Sequence, residues 1–476
     1  MSNSKTIKGR PDYYITPTRD FTKYVRDCEE KYWNKESAFD WNQDVKKNLI
    51  EYLENLSKDE LFLISTLTLP MIRDSIQKKI QSIKTGEFQY SEDALKDVSE
   101  CVFSNNETIS KLLTLYSPLH SDLIKVNRLN DRLDILHGEM VDLEEQDRLG
   151  IIKVGIEAKY IETEAEREEL DNQLKTKSEE IAETGIQRAK LKKGYDLNLS
   201  KLKLSVKEDQ EKNSLKLVED LSETESFVNR LIESNKLPDN PKDLSLLKDL
   251  IVKRQLRALK DIANHALVVE QSAIAPLTMG IIHYKRYREI QEALTTFIND
   301  EAKHSATFRR FLVEKLEAKE FISSQLIKGA ERYMWVARFA PGIGMFLAVI
   351  IEAIGASYLS FFSKKEIMPD KLFRSISNTI SVHDETRHMD LCVAIYNELF
   401  RTGSSWERRR NHFALKLIMK SVYGDKHDDH HLIQAFRAFG VESDVLYNYV
   451  LSSLSQQLTR VGVFVTPEKL KRYIGK

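Results

Sequence analysis

The sequence predicts an all-α chain: a four-helix bundle flanked by accessory helices, with a coiled-coil hairpin inserted ahead of it. Three observations predict it. Pro (10) and Gly (17) are scarce among 476 residues while charged residues reach 30%, the composition of long solvated helices. From about 119 to 236 the chain is rich in Glu, Lys, Asp and Leu, and Val126, Leu129, Leu133, Leu136, Met140 and Leu143 alternate spacings of three and four. That alternation makes a coiled-coil seam. From about 237 to 404, a stretch Asp-Glu-x-x-His occurs twice, at Asp300 to His304 and at Asp384 to His388, each inside an apolar-periodic segment.

Residues 1–118 read as accessory helices. An aromatic arm with Tyr13, Tyr14, Phe21, Tyr24 and Trp33 precedes two helices that meet at Ser57, and Ser57 followed by Glu60 is a capping-box pattern. Within 119–236 the seam falters between Gly150 and Gly155 and resumes with Leu170, Leu174 and Ile181. A second seam runs through Leu217, Leu221, Thr224, Val228 and Leu231. Two seams with a break imply an antiparallel hairpin, with Gly194-Tyr195 as one candidate turn. Pro238 and Pro241 then stop the helix. In 237–404 the spacing predicts four helices: one from about 244 to 288 with Pro276 as a kink site, one carrying Glu301, one after Pro341-Gly342 and one after Pro369-Asp370. Residues 405–476 read as further amphipathic helices without identifiable chemistry.

On a helix, residues three apart share a face, so Glu301 with His304, and Glu385 with His388, can each chelate one ion. The helix before each pair carries a lone glutamate among apolar residues: Glu270 after Ala266-Leu267-Val268-Val269, and Glu352 between Ile351 and Ala353. Glu270 to Glu301 spans 31 positions (301 − 270) and Glu352 to Glu385 spans 33 (385 − 352), each suited to one helix hairpin. Four carboxylates gathered in an apolar core repel one another and lose hydration unless a cation joins them. Mixed imidazole and carboxylate donors suit iron or manganese. Asp300 and Asp384, each four residues before its histidine, are expected to accept a hydrogen bond from a ring nitrogen of the histidine on the opposite helix. His383 faces away from Glu385 on an ideal helix and is expected beside the ligands or at the surface.

The bulk numbers narrow the partners. A net charge of −1 gives no footprint for nucleic acid or for an anionic membrane. Cys28, Cys101 and Cys392 are too few and too scattered for a disulfide framework or a zinc site, which fits a reducing compartment. The basic first ten residues lack an apolar segment after them, so a cytoplasmic location is expected. Residues 345–362 are apolar enough for a membrane span, but Glu352 and the paired hairpins favour a buried bundle helix. His427-Asp-Asp-His430-His431 has zinc-like spacing in a polar stretch without a cysteine partner and reads as a solvated segment. The coiled coil reads as a device for homo-oligomerisation or for docking a partner protein.

From these residues, about 245 to 403, a third of the chain, resembles the ferritin-like di-iron carboxylate oxygenase superfamily. That superfamily includes aminobenzoate N-oxygenases, acyl-carrier-protein desaturases and ribonucleotide reductase radical subunits. The resemblance implies a ferritin-like four-helix di-metal bundle, with Glu270, Glu301, His304, Glu352, Glu385 and His388 as ligands of two iron ions, or of manganese or a mixed Mn/Fe pair. It implies an oxidase or oxygenase that activates dioxygen to hydroxylate, desaturate or N-oxygenate an organic substrate. Electrons would come from a ferredoxin or a flavoprotein reductase, since no dinucleotide fingerprint is present. Radical subunits place a tyrosine where this chain has Phe308, and aminobenzoate N-oxygenases place a third histidine where it has Ser381. Gly344, Gly355 and Ala356 leave room beside Glu352 either for substrate or for close helix packing. Two other readings remain open: a ferroxidase or iron-handling protein, and a coiled-coil scaffold with a structural di-metal site.

Overall fold

The computed structural model describes residues 17–104, 106–149, 151–154, 157–160, 163–208, 210–318, 324–423 and 431–474. Among them the chain is helical apart from one two-stranded hairpin. It forms two compact units, Met1–Arg73 with Val228–Lys476, and Asp74–Phe227. The boundaries expected from composition, 1–118 and 119–236, differ from these because Asp74 onwards already packs with the coiled coil.

In the first unit, α1 (Thr22–Glu30) and α2 (Val45–Glu54) lead into α3 (Lys58–Lys84). Asp44 caps α2 by accepting the Lys47 N–H at 2.9 Å, which contributes about 1 kcal/mol. The Ser57–Glu60 capping box forms in both directions, with Glu60 N–H on Ser57 Oγ at 3.2 Å and Ser57 N–H on Glu60 Oε2 at 2.9 Å.

The second unit holds α4 (Glu92–Ser99) and two long arms, α5 (Glu107–Leu149) and α6 (Glu164–Glu208), followed by α7 (Gln210–Ser234), which opens in this unit. Asn130 pairs with Arg188, Glu139 with Lys177 and Asp147 with Arg167, a descending register that makes the arms antiparallel. Exposed ion pairs of this kind are worth about 0.2–1 kcal/mol each, so they mark the register more than they hold it. Leu136 and Leu170 are buried along the arms. The reversal is not at Gly194-Tyr195, because α6 runs straight through both residues. A Cβ at Gly194 would meet nothing within 4 Å, and one exposed glycine costs a helix only about 1 kcal/mol. The chain turns instead where the seam falters, through β1 (Ile151–Val154) and β2 (Glu157–Tyr160), paired antiparallel from Ile151–Tyr160 to Val154–Glu157.

Back in the first unit, α8 (Pro241–His283) starts with Pro241 behind the Asn240 cap and continues past Pro276 to His283. It packs along α9 (Arg288–Arg310), which ends in a π-helical turn, Phe311–Lys315. Next come α10 (Ser324–Phe339), α11 (Pro341–Phe362) and α12 (Lys371–Thr379). The last passes through a second π-helical segment, Ile380–Glu385, into α13 (Thr386–Leu399). α10 packs against α8 and α11, and α11 lies against α13. The remaining helices are α14 (Ser405–Tyr423), α15 (His431–Arg437), α16 (Ser443–Arg460) and α17 (Pro467–Tyr473).

Among the described residues, α8 and α11 are long and apolar enough to cross a membrane. The most apolar stretch of α11 is 61% buried within the fold. His427 and His430 lie outside the described residues, as do Tyr13 and Tyr14.

Candidate metal centre

Both Glu-x-x-His pairs and both lone glutamates come together among α8, α9, α11 and the rod formed by α12, the π segment and α13. Glu270, Glu301, His304, Glu352, Glu385 and His388 are each at most 8% exposed. Their donor atoms form two overlapping sets: Glu270, Glu301, His304 and Glu385; and Glu301, Glu352, Glu385 and His388. Within each set the atoms lie within 4.8 Å of one another, close enough to hold a metal ion. Glu301 and Glu385 belong to both.

The histidines are oriented from behind. His304 Nε2 lies 2.9 Å from Asp384 Oδ2, leaving Nδ1 3.2 Å from Glu270 Oε2 and 3.6 Å from Glu385 Oε1. His388 Nε2 lies 3.3 Å from Asp300 Oδ2, with Nδ1 3.2 Å from Glu301 Oε1. Each histidine is therefore held by the aspartate of the other motif, which fixes the ring and its tautomer. His388 Nδ1 is buried and makes no hydrogen bond, a lone pair aimed at carboxyl oxygens. A donor set of this kind, with an orphaned imidazole nitrogen facing acids, fits a cation.

Three residues around the aspartates were not singled out from the sequence. Arg387 Nη2 donates to Asp300 Oδ2 at 2.6 Å and Asp384 Oδ1 at 3.0 Å. Lys303 Nζ lies 3.0 Å from Asp300 and 3.3 Å from Asp384. Both motifs carry a base at the same place, one residue before the histidine, and that repeat was the available signal. Trp33 donates its Nε1–H to Asp384 Oδ2 at 2.7 Å and stacks on His304 with ring centres 6.2 Å apart. Nothing local in the sequence ties Trp33 to residue 384.

His383 is half-buried and belongs to neither donor set. It lies in the π-helical segment, whose wider turn changes the facing of residues ahead of Glu385. Gly344 serves packing: a Cβ there would lie 2.7 Å from the Ala337 Cα. At Gly355, one turn from Glu352, a Cβ would meet nothing within 4 Å.

Charge is distributed unevenly. Burial drives Glu301 and Glu385 well above the usual carboxyl range, aided by Glu270 beside the first and Glu352 beside the second. Burial and the nearby Glu270 raise Glu352 to about 8. Burial also opposes a charge on Glu270, but hydrogen bonding from Glu301 and the neighbouring His304 hold it below its ordinary value. For His304, burial is outweighed by Glu270 and Asp384, which lift it to about 9. Burial pushes His388 down to about 4, with Asp300 offsetting only part of the effect. Among the four glutamates, Glu270 is thus the one whose surroundings favour the charged form, while the other three favour the proton.

Cys392 is buried, and its thiol is raised by burial and by Glu352 and Glu385. Compared with known protein families, curated proteins and solved structures, the chain matches none.

Proposed function

We propose that the two donor sets are the halves of a di-iron centre in a ferritin-like bundle, and that the protein is a dioxygen-dependent non-haem oxidoreductase acting on an organic substrate. The observation that carries this reading is the sharing of Glu301 and Glu385 by both sets, with one further glutamate and one histidine left to each. Few protein donors per ion leave positions for dioxygen and substrate. Charge supports two divalent ions. Two divalent cations with four carboxylates are neutral together. Filling the centre with two such ions therefore leaves no net charge in the apolar core.

Bound iron would supply the activation of dioxygen, with electrons delivered by a ferredoxin or a flavoprotein reductase. The chain's own residues orient and exclude. Asp384 and Asp300 hold the histidine rings, Arg387 and Lys303 neutralise those aspartates, and Phe297, stacked 3.8 Å from the His388 ring, shuts water from that side. The open space at Gly355 is where a substrate group would approach Glu352.

The direct test is anaerobic ferrous titration of the chelator-stripped protein, followed by oxygen, read by visible absorbance and Mössbauer spectroscopy. Two magnetically coupled irons per chain that oxidise together are the expected result. One iron or none would overturn the reading.

Loading also displaces protons. In the metal-free cluster Glu352 is raised to about 8 and His304 to about 9, and Glu301 and Glu385 are raised well above the carboxyl range. Filling the centre should therefore release protons. Metal competes with protons, so the apparent affinity should fall on acidification below pH 8. Calorimetric titration with manganous ion in buffers of different ionisation enthalpy measures the count, and a release near zero would contradict it.

A further inference from the structure

Two helices on the metal-binding unit present aromatic faces ringed by basic residues, and both meet one end of α11. On α14, Trp406, Phe413 and Leu417 follow spacings of seven and four and so form one stripe. Arg409, Lys416 and Lys420 are exposed on the same face, three, four or seven residues from Phe413. Arg410 lies over the Trp406 ring at 5.2 Å. The one acidic residue of the helix, Glu407, is turned inward, where it accepts the Tyr396 hydroxyl at 2.8 Å. On α10, Trp335 and Phe339 are four apart with ring centres 5.1 Å from each other, and Lys328, Arg332 and Arg338 flank them against a single Glu331. These five large apolar side chains are 54–68% exposed.

The two helices are joined to the same end of α11. Gly344 of α11 touches Ala337 of α10, and Gly342 meets the Phe400 ring, where an added Cβ would come within 3.0 Å. Phe346 packs on Tyr396, ring centres 5.8 Å apart, and Tyr396 holds α14 through Glu407 and Asn411. The end of α8 joins them, with Tyr284 against Phe400 and Ile282 exposed. The most apolar stretch of α8 is only 33% buried in the fold.

We propose that this end of the bundle docks on an anionic lipid bilayer, with α10 and α14 lying in the interface. Exposed Trp, Phe and Leu flanked by Lys and Arg along a helix axis are what a headgroup boundary accepts. The centres of protein interfaces, by contrast, are depleted in Lys. The net charge of the chain is −1, so the six exposed bases around these stripes are a local concentration. A bilayer carrying negative headgroups complements both the charge and the apolar stripe. The inference is independent of the metal reading, since it uses none of the metal-binding side chains.

The test is flotation of the purified full-length protein with vesicles of phosphatidylcholine alone or mixed with phosphatidylserine. The chain should partition onto the mixed vesicles and much less onto the neutral ones. Trp406→Ser with Phe413→Ser should lower partitioning at least about tenfold, and Arg409→Glu with Lys416→Glu should lower it about fivefold or more per site on the anionic vesicles. Ile186→Ser, which alters an exposed apolar residue on α6, should change nothing. All these positions are exposed, so circular dichroism should match the wild type. Absence of binding at low salt, or binding unaffected by the Trp406/Phe413 variant, would overturn the proposal. So would a wild-type dimer that ignores vesicles and becomes monomeric in that variant, because a second copy would then cover the face.

Discussion

Glu301→Gln is expected to strip the centre of metal and, at the same time, to raise the melting temperature of the metal-free protein. The loss follows from position: Glu301 belongs to both donor sets, whereas Glu270 and Glu352 each belong to one. In the proposed two-ion centre Glu301→Gln should therefore lose both ions, and Glu270→Gln or Glu352→Gln about one. The stabilisation follows from charge. Burial, with Glu270 next to it, drives the Glu301 carboxyl well above its ordinary range, so folding at neutral pH must bind a proton that the unfolded chain releases. An acid whose folded value is raised costs stability as pH climbs above its unfolded value of about 4. Glutamine keeps the shape and donates the same hydrogen without that cost. The gain should be present at pH 7 and shrink towards pH 4. Calorimetry on chelated protein, with metal counted by elemental analysis, checks both halves. A less stable metal-free variant would mean that Glu301 is there to brace the core rather than to await a cation.

Asp384→Ala should be among the most damaging single changes in the chain. Its carboxylate receives Trp33 at 2.7 Å, His304 at 2.9 Å, Arg387 at 3.0 Å and Lys303 at 3.3 Å. Removing it leaves a buried guanidinium and an indole N–H without that acceptor and releases the His304 ring, at a cost of about 3–5 kcal/mol. Burial opposes the charge on Asp384, but the His304 hydrogen bond and nearby cations outweigh it and hold the carboxyl well below its usual value. An acid whose folded value is depressed contributes stability that is complete above its unfolded value, about 4, and fades as pH falls through the folded one. The gap between wild type and variant should thus be full at pH 7 and narrow in strong acid. Urea unfolding of the chelated proteins at several pH values measures it. A gap below about 1 kcal/mol at pH 7 would show that the network contributes little net stability.

The parts of this centre that lie within one helix were legible because an i, i+3 pair is a property of the helix itself. Glu301 with His304, Glu385 with His388, and the two glutamates set among apolar residues could be read directly, and so could the reach of each aspartate to the opposite histidine. Lys303 and Arg387 stood in plain view as a repeated base in both motifs, yet a motif written with two variable positions hides them. Trp33 could not be read, because it arrives from an arm whose packing depends on the finished bundle. The π-helical segment at Ile380–Glu385 was invisible for another reason: one wider turn barely disturbs an apolar periodicity, although it changes which residues face inward. The hairpin failed at Gly194 because an exposed glycine is only a mild helix breaker, while the seam's fading at Gly150 was the truer sign.

The crossed pairing of aspartates and histidines also acts as a check on assembly. Neither motif can orient its own imidazole: Asp300 serves His388, and Asp384 serves His304. Sliding α9 against α13 by one turn, about 5.4 Å, would separate both pairs at once. A misaligned bundle would therefore leave both imidazoles without their aspartates at the same time.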